Sequence, residues 1–499
     1  MIVRGGGAIF GHPPAGWGGA RSVGALPLAT LDPCLQALSL NVATLRRPLA
    51  RRLRMQEKDD VTSSTAAASF NLAKGIVGAG SFALPYVCKN EGIIGGLLTI
   101  VACAVVTTYT MESLIDSKNE VELRTGRQGL SYVETTRLTL GQTAAQIVFA
   151  LSVLSSLLIC GSYVAFTGST LATMVAQPGN VIHDLLQDLM PTQDSTLMFQ
   201  EAMIAVVLPM SMLKEFGLLS FTSFMGVVCV ILACSTLLVD GLLHQESLDA
   251  WIHHVQALHL WPASSVAYFQ SFGSVVFLFC VNFLIFPIEA KMSKKAEWRA
   301  AVQRAVQATA VGNMLFAGLG YSLFGEETSE IVLNNLGPGT LLSAVKILVC
   351  LDLILTYPLV LASATNIIDT ALLRSSSEQL AETLLNGSSE DKPARQLPAA
   401  PPAAPTSATA SPFVSPAQAA VRAVLVALTF AVAQAKGFQT ITNVAGGLAQ
   451  GLTALVLPQA ILLHLKSDSL GDRERGGLLA LIAFGLFSAG ITSYLALAT

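Results

Sequence analysis

Residues 69–86 read SFNLAKGIVGAGSFALPY, an apolar segment in which three glycines fall within six positions. About 20 apolar residues are enough for a helix to cross a bilayer. Glycine is a poor helix former, so Gly75, Gly78 and Gly80 weaken the helix in mid-membrane. Unwound backbone at membrane depth is tolerated only where it lines a cavity or is buried in protein. The segment therefore predicts an interrupted membrane helix in an interior position.

The glycine-rich interruption has two interpretations, and the motif alone leaves both open. In the first, the freed N–H groups and the dipole of the second half-helix face an anion, and transporters bind substrate carboxylates at such breaks. The candidate residues for this contact are Gly78, Ala79, Gly80 and Ser81. In the second, the small residues only allow close packing against a neighbouring helix.

The whole chain shares the apolar character of this segment. Its 499 residues are 52% hydrophobic and only 12% charged, and the mean hydropathy is +0.60. Soluble domains carry about 25% charged residues, so these charges are too few to cover a soluble surface. Composition excludes an ordinary water-soluble enzyme, a disordered regulator and a nucleic-acid binder. It predicts a polytopic membrane protein whose surface contacts a lipid bilayer.

Apolar runs of spanning length recur along the chain and predict an all-α fold with 11 transmembrane helices. The runs are apolar all round rather than alternating, which indicates helices and not a transmembrane barrel. They lie at residues 66–88, 92–113, 144–175, 198–213, 217–241, 269–290, 305–324, 341–362, 419–436, 440–464 and 477–497.

The distribution of basic residues predicts the orientation of these helices. With the N-terminus in the cytoplasm, 25 of the 29 Lys and Arg residues fall on the cytoplasmic side. Only Lys89 and Lys436 fall on the opposite side, and Lys74 and Lys346 lie inside spans. Basic residues accumulate in cytoplasmic loops, so we expect a cytoplasmic N-terminus and a C-terminus on the other side.

Two segments outside the spans have distinct compositions. Residues 1–65 precede the first span, and residues 1–54 contain seven Arg but one acid, Asp32. This composition fits an organelle transit peptide, a disordered cytoplasmic tail, or an over-extended gene model that truly starts at Met55. Residues 375–416 are polar and then Pro/Ala-rich, which predicts a disordered cytoplasmic linker. The linker separates helices 1–8 (residues 66–374) from helices 9–11 (residues 417–499).

Motifs for bond-making chemistry are absent from the sequence. It contains no CxxC, HExxH, GxSxG or Walker pattern, and most of its eight cysteines fall within spans. Buried cysteine behaves as a small hydrophobic residue. We therefore expect no enzyme activity, no metal and no cofactor.

Six motifs in order resemble the amino acid/auxin permease family of secondary amino acid transporters. The first is FNLAKGIVGAGSFALPY at residues 70–86, which resembles that family's first helix. The others lie at residues 131–134 (SYVE) with 140–141, 208–213 (LPMSML) with 218–220, 272–277 (FGSVVF) with 287–289, 320–325 (GYSLFG) with 334–336, and 355–359 (LTYPL). Each motif is loose, but six in the right order over residues 66–497 are specific.

The resemblance implies a LeuT-type fold, in which five helices repeat as five inverted helices and an eleventh follows. It also implies that helices 1 and 6 are broken and hold the substrate between them. In helix 6 the implied site residues are Phe277, Phe279, Cys280 and Asn282, although residues 277–282 contain no Gly or Pro. Tyr163 resembles the family's helix 3 tyrosine, which can line the site; packing in the core or against lipid is the alternative.

Two charges inside the spans bear on ion coupling. Lys74 lies eight residues into the first span, roughly 12 Å by helical rise, and Asp352 lies in mid-span with Thr356 one turn further on. Intramembrane charges are usually paired or functional. The resemblance places helices 1 and 8 beside a sodium site, with Asn in sodium-coupled relatives where Lys74 stands. A fixed ammonium there can replace the ion, with Asp352 as its counter-charge; the alternative is a static pair that only locks two helices.

These features together predict transport of amino acids, expected to be small neutral L-amino acids, by alternating access. We expect proton coupling or ion-independent exchange rather than sodium symport. The alternative is a membrane receptor that binds an amino acid with little flux. The plasma membrane, the vacuole or another endomembrane, and the plastid envelope all remain open.

Overall fold

A computed structural model describes residues 63–178, 183, 195–213, 219–245, 247–279, 281–386, 414–467 and 469–498. The predicted site residue Cys280 and most of the predicted N-terminal segment lie outside this part of the chain. The described residues are nearly all helical. This agrees with the predicted all-α class.

We number the α-helices in chain order, leaving short 3₁₀ and π segments unnumbered. They are α1 Thr65–Ile76, α2 Leu84–Glu91, α3 Ile93–Thr125, α4 Tyr132–Leu140, α5 Gln142–Ala176, α6 Ser195–Ser211, α7 Leu219–Leu243, α8 Leu248–Gln256, α9 Ser265–Phe279, α10 Asn282–Ala290, α11 Trp298–Phe324, α12 Thr340–Asn386, α13 Pro416–Ala435, α14 Phe438–Val444, α15 Leu457–Leu465 and α16 Asp472–Ala498. The π segments Ala445–Gln450 and Leu452–Val456 join α14 to α15.

Within the described part of the chain, eight helices are long and apolar enough to cross a membrane. They are Ile93–Thr125, Gln142–Ala176, Met225–Leu243, Ser265–Ala290, Thr340–Asp369, Pro416–Ala435, Phe438–Leu465 and Asp472–Ala496. The other three predicted spans correspond to the interrupted α1–α2 pair, the shorter apolar helix α6 and the helix α11. The predicted number of 11 therefore stays a prediction.

The first predicted span is interrupted where its glycines lie. Helix α1 ends at Ile76, Val77 and Gly78 have extended backbone, and a 3₁₀ turn over Ala79–Ala83 leads into α2. Pro85 lies in the first turn of α2, where its missing N–H removes no helical hydrogen bond. The sequence therefore accounts for both the end of α1, through its glycines, and the start of α2, through Pro85.

The sixth predicted span is also interrupted, without a local sequence signal. Helix α9 ends at Phe279 and α10 begins at Asn282, with Val281 outside helical geometry. Neither Gly nor Pro falls at this point, so local propensity does not cause the break. Tertiary packing of α9 decides it, because this half-helix is buried over Ser271 to Phe279.

Several helices extend further than the apolar runs predicted. Helix α3 continues to Thr125, 12 residues past the predicted span end at 113. The predicted loop before helix 3 contains α4, with Ser131 and Glu134 forming a capping box at its start. Helix α12 runs to Asn386, so residues 375–386 of the predicted linker are helical. Their Glu, Gln, Leu and Ala content favours helix, which the composition argument for disorder overlooked.

The packing of α9 against the π segment Ala445–Gln450 is unusually close. A Cβ on Gly273 would overlap the carbonyl oxygen of Asn443, and a Cβ on Gly446 would overlap that of Gly273. The Asn443 amide fixes this contact, since its Oδ1 accepts from the Gly273 N–H at 2.7 Å and its Nδ2 donates to the Phe269 carbonyl at 3.1 Å. Glycine at these two positions is a steric requirement.

Substituting Gly273 with alanine is expected to destabilise the protein by about 1–3 kcal/mol, because overpacking displaces backbone and not a flexible side chain. Thermal unfolding in detergent measures the effect. The matched control is Gly490→Ala, where an added Cβ meets nothing within 4 Å. Equal melting temperatures for the two variants would contradict the close packing of α9.

Candidate functional site

The two helix interruptions lie against each other. A Cβ on Gly80 would lie 3.1 Å from Phe277 Cδ1 and 3.2 Å from Leu278 Cδ1. A Cβ on Gly75, at the end of α1, would lie 2.9 Å from Leu284 Cδ1 in α10. The glycines of the first interruption thus allow its backbone to approach both halves of the sixth predicted span.

Polar side chains are buried at both interruptions without a protein partner. The Ser81 hydroxyl and both amide atoms of Asn282 are buried and make no hydrogen bond within the described structure. Ser81 follows the first interruption and Asn282 begins α10 after the second. Buried polar atoms are nearly always hydrogen-bonded. These atoms therefore suit a polar ligand or water at the two interruptions.

Some backbone groups of the predicted site are already engaged. The Gly78 carbonyl accepts from the Ser81 N–H at 3.0 Å, and the Phe279 carbonyl accepts from the Val281 N–H at 3.0 Å. Phe277 packs in the same apolar core as Ala79. The Phe279 ring packs in a separate core with Leu72, Ile76 and other residues. Phe277 thus lies beside the first interruption, whereas the Phe279 ring packs with α1, the half-helix that precedes it.

Aromatic rings extend from the first interruption into the surrounding core. The Phe82 ring lies 5.7 Å from that of Phe166 and 6.1 Å from that of Phe316, and Phe166 lies 5.4 Å from Phe438. Tyr163 packs against the same core. The environment next to Ser81 is therefore apolar and aromatic.

The predicted coupling residues come together on α1 and α12. Thr356 Oγ1 donates to Asp352 Oδ1 at 3.5 Å, and the charges of Lys74 and Asp352 act on each other. No salt bridge joins these two side chains in the part of the chain that is described. Tyr163 also lies within range of the Asp352 charge. A Cβ on Gly226 of α7 would overlap the Asp352 carboxylate, so α7 closes one side of this cluster.

The sequence interpretation missed three buried charged groups. Glu91, the last residue of α2, is 0% exposed. Lys118 and Glu289 form a salt bridge of 2.6 Å, with side chains 2% and 3% exposed. The distribution of basic residues predicts that Lys118 lies in a cytoplasmic loop, because the apolar run of that span ends at residue 113. The available signal was the (i, i+4) pairing of Lys118 with Glu122, which favours continued helix.

The start of α1 is tied to the segment after α10. The Ser63 N–H donates to the Lys291 carbonyl at 2.7 Å, and the Ser293 N–H donates to the Ser63 carbonyl at 3.0 Å. The Thr65 hydroxyl donates to Glu297. This bond, together with one from Lys294, lowers the pKa of Glu297. The N-terminal end of α1 and the C-terminal end of α10 are thus held together.

No group of three or more His, Cys, Asp or Glu residues that could hold a metal occurs among the described residues. The features present are apolar helices and two interrupted spans that lie against each other, each with a buried polar side chain at its interruption. Interrupted helices that enclose a mid-membrane site are the architecture of secondary transporters. The fold and the site therefore define a membrane transporter.

Comparison with known protein families identifies the family of this transporter. Residues 61–497 match the family model described as "Transmembrane amino acid transporter protein". The chain belongs to this family, the amino acid/auxin permease family that its motifs predicted.

Individual relatives are distant. The chain is 24% identical over 306 residues to amino acid transporter AVT3A of Arabidopsis thaliana, covering 61% of this chain and 68% of that protein. It is 23% identical over 312 residues to vacuolar amino acid transporter 2 of Saccharomyces cerevisiae, covering 60% and 61%. A solved structure of MhsT in complex with L-phenylalanine aligns with a TM-score of 0.49 and 12% identity, covering 86% of this chain and 98% of that one.

Proposed function

We propose that this chain is a secondary active transporter that moves small neutral L-amino acids by alternating access. The observation that carries the proposal is the contact between two helix interruptions, each of which carries a buried polar side chain, Ser81 or Asn282, without a hydrogen-bond partner in the described structure. An amino acid offers the carboxylate and ammonium groups that such atoms and freed backbone can bind. The membership of an amino acid transporter family supports this substrate class.

The interruptions suit the two charged groups of the substrate differently. The carboxylate would meet the N–H groups at residues 78–80, where the 3₁₀ turn begins, and the Ser81 hydroxyl, because the Ser81 N–H already donates to the Gly78 carbonyl. The ammonium would meet carbonyls freed in the two interruptions and the amide oxygen of Asn282. The aromatic rings of Phe82 and Phe277 next to this position favour an uncharged side chain, because a charge buried there would lack a partner.

We also propose that the Lys74 ammonium replaces a coupling cation, with Asp352 as its counter-charge and Thr356 as a further hydrogen-bond donor. The interaction of Lys74 with Asp352 supports this role. A lysine that already supplies the positive charge removes the need for sodium. Transport is then proton-coupled symport or ion-independent exchange.

The proposed topology has 11 spans, with five inverted after five and one more at the end. In this topology α1–α2 and α9–α10 are the interrupted first and sixth spans, and the N-terminus is cytoplasmic because most basic residues then face the cytoplasm. An endomembrane such as the vacuole is the proposed location, supported by the relative named as vacuolar.

Uptake of labelled neutral amino acids into proteoliposomes tests this function, with sodium and pH varied separately. We expect uptake that is unchanged without sodium. Lys74→Met is expected to lower uptake roughly tenfold or more, a loss of about 1.4 kcal/mol, because it leaves Asp352 without its cation. The control Lys436→Met removes an exposed lysine and should leave uptake intact.

Three results would contradict parts of this proposal. A strict sodium requirement with no response to pH would exclude the coupling role of Lys74. Unaltered uptake by Lys74→Met would indicate that the interaction between Lys74 and Asp352 only holds two helices together. Binding of an amino acid without counterflow would favour a receptor with little flux over a transporter.

A further inference from the structure

Glu91 is a fully buried carboxylate at the junction of three helices. It is the last residue of α2. Thr99 of α3 contacts its Oε2 at 2.6 Å, and Ser271 of α9 contacts its Oε1 at 3.2 Å. The Tyr268 hydroxyl lies 3.0 Å from Thr99 Oγ1. The carboxylate therefore connects the second half of one interrupted span to the first half of the other.

In the described part of the chain, no cation accompanies this carboxylate. Among the described residues, no Lys, Arg or His forms a salt bridge with Glu91. The nearby Lys89 directs its amine to the carbonyls of Glu326 and Thr328. A buried carboxylate without a cation is costly in its ionised form.

The neighbouring titratable groups are weak acids and one loop histidine. Cys88 of α2 and Tyr268 of α9 lie within range of the Glu91 charge. Tyr321 of α11 donates to Glu326 at 2.9 Å, and Cys103 of α3 lies near Tyr268. His259 contacts the start of α3 through its carbonyl, which accepts from the Ile93 N–H at 2.9 Å. None of these groups supplies a fixed positive charge to Glu91.

The hydrogen-bond geometry accommodates a proton on Glu91. A protonated carboxyl can donate to Thr99 Oγ1, and the Thr99 hydroxyl can then donate to the Gly95 carbonyl, which lies 3.0 Å away. Ser271 likewise has the Tyr268 carbonyl within 3.3 Å as an alternative acceptor. Every donor has an acceptor in that arrangement. The direct contacts between carboxylate and hydroxyl oxygens leave no space for a metal ion between them.

We propose that Glu91 is a proton-binding site that controls closure of the outer halves of the two interrupted spans. This inference rests on the proposed alternating access. When α2 and α9 separate, Glu91 is exposed to the outer solution and ionises. When they close, the carboxyl takes one proton from that solution and holds it between Thr99 and Ser271; reopening returns the proton to the same side.

Acid on the outer side therefore stabilises the closed outer half by linkage, up to about tenfold in the closed-to-open ratio for each pH unit. The variant Glu91→Gln carries a neutral amide of the same shape and mimics the protonated form. In this variant we expect the outer half to stay closed at every pH.

Hydrogen exchange of the purified protein, measured by mass spectrometry from acidic to mildly alkaline pH, tests this directly. Exchange is corrected for its intrinsic pH dependence. In wild type, protection of residues 84–100 and 265–272 should fall as pH rises, and in Glu91→Gln it should stay high. Ser271→Ala keeps the carboxyl but removes one donor to its ionised form. It should move the transition to higher pH.

Two variants serve as controls. Glu327→Gln removes an exposed carboxylate from the loop after α11 and should respond like wild type. His259→Gln should also respond like wild type. The proposal would be overturned if His259→Gln lost the pH response while Glu91→Gln kept the response of wild type. Protection in wild type that does not depend on pH, or protection in Glu91→Gln that is lower than in wild type at all pH values, would also overturn it.

The exchange measurement does not require transport. Failure to detect amino acid uptake would overturn the proposed function and leave the comparison of Glu91→Gln with wild type intact. Conversely, amino acid uptake together with a Glu91→Gln variant whose hydrogen exchange responds to pH like wild type would overturn only the role of Glu91.

Discussion

Replacing Gly80 with leucine is expected to abolish amino acid uptake in proteoliposomes. The Cβ alone would lie 3.1–3.2 Å from the Phe277 and Leu278 side chains, closer than ordinary van der Waals contact. The further atoms of leucine would push the two interruptions apart. Because transport requires groups from both to meet one substrate, a displacement of about 1 Å is enough to reduce binding by orders of magnitude. Uptake should fall to the level of empty liposomes.

The matched control for Gly80→Leu is Gly312→Leu in α11. An added Cβ at Gly312 meets nothing within 4 Å, so the same substitution should leave uptake intact. Size-exclusion profiles establish that both variants are folded. Undiminished uptake by Gly80→Leu would argue against a substrate site at the first interruption and favour simple close packing of its glycines.

Replacing Lys118 with methionine is expected to destabilise the protein by about 3–5 kcal/mol. Glu289 is then left buried without the ammonium that now lies 2.6 Å from it, and breaking a buried pair from one side is strongly destabilising. Lys295 lies 3.9 Å from the other Glu289 oxygen but is largely exposed, so it compensates only in part. Thermal or denaturant unfolding in detergent measures the loss.

Two further variants separate charge burial from loss of side-chain packing. The double variant Lys118→Met/Glu289→Gln removes both charges and should recover most of the stability. Lys294→Met breaks an exposed pair with Glu297, so it should cost below about 1 kcal/mol. If the double variant were as unstable as Lys118→Met, packing of Lys118 on the Phe286 ring, and not the ion pair, would explain the effect.

The sequence predicts the first interruption better than the second, for a physical reason. Three glycines reduce local helix propensity enough to reveal the break after Ile76. The break between Phe279 and Asn282 has no such residues, because there the fold overrides local propensity. Asn282 was the one polar residue in that stretch, and both its amide atoms are buried without a partner. A polar residue in an apolar run was therefore the informative signal.

The buried charges show where hydropathy arguments fail. An apolar run measures the part of a helix that contacts lipid or core, and not the length of the helix. Lys118 lies beyond the run in α3, yet tertiary packing against α10 buries it. Glu91 lies just past the predicted end of the first span and is buried by α3 and α9. Contacts between distant segments bury both side chains, and the spacing of Lys118 and Glu122 predicts only that the helix continues.

The contact between Gly273 and Gly446 has a consequence for how this sequence can change. The Gly273 carbonyl occupies the space that a side chain on Gly446 would need, and Asn443 occupies the space that a side chain on Gly273 would need. Neither glycine can be replaced by a larger residue while these atoms stay in place. The two glycines, 173 residues apart in the sequence, are therefore required by one and the same contact between α9 and residues 443–446. A larger residue at either position would force α9 and these residues apart.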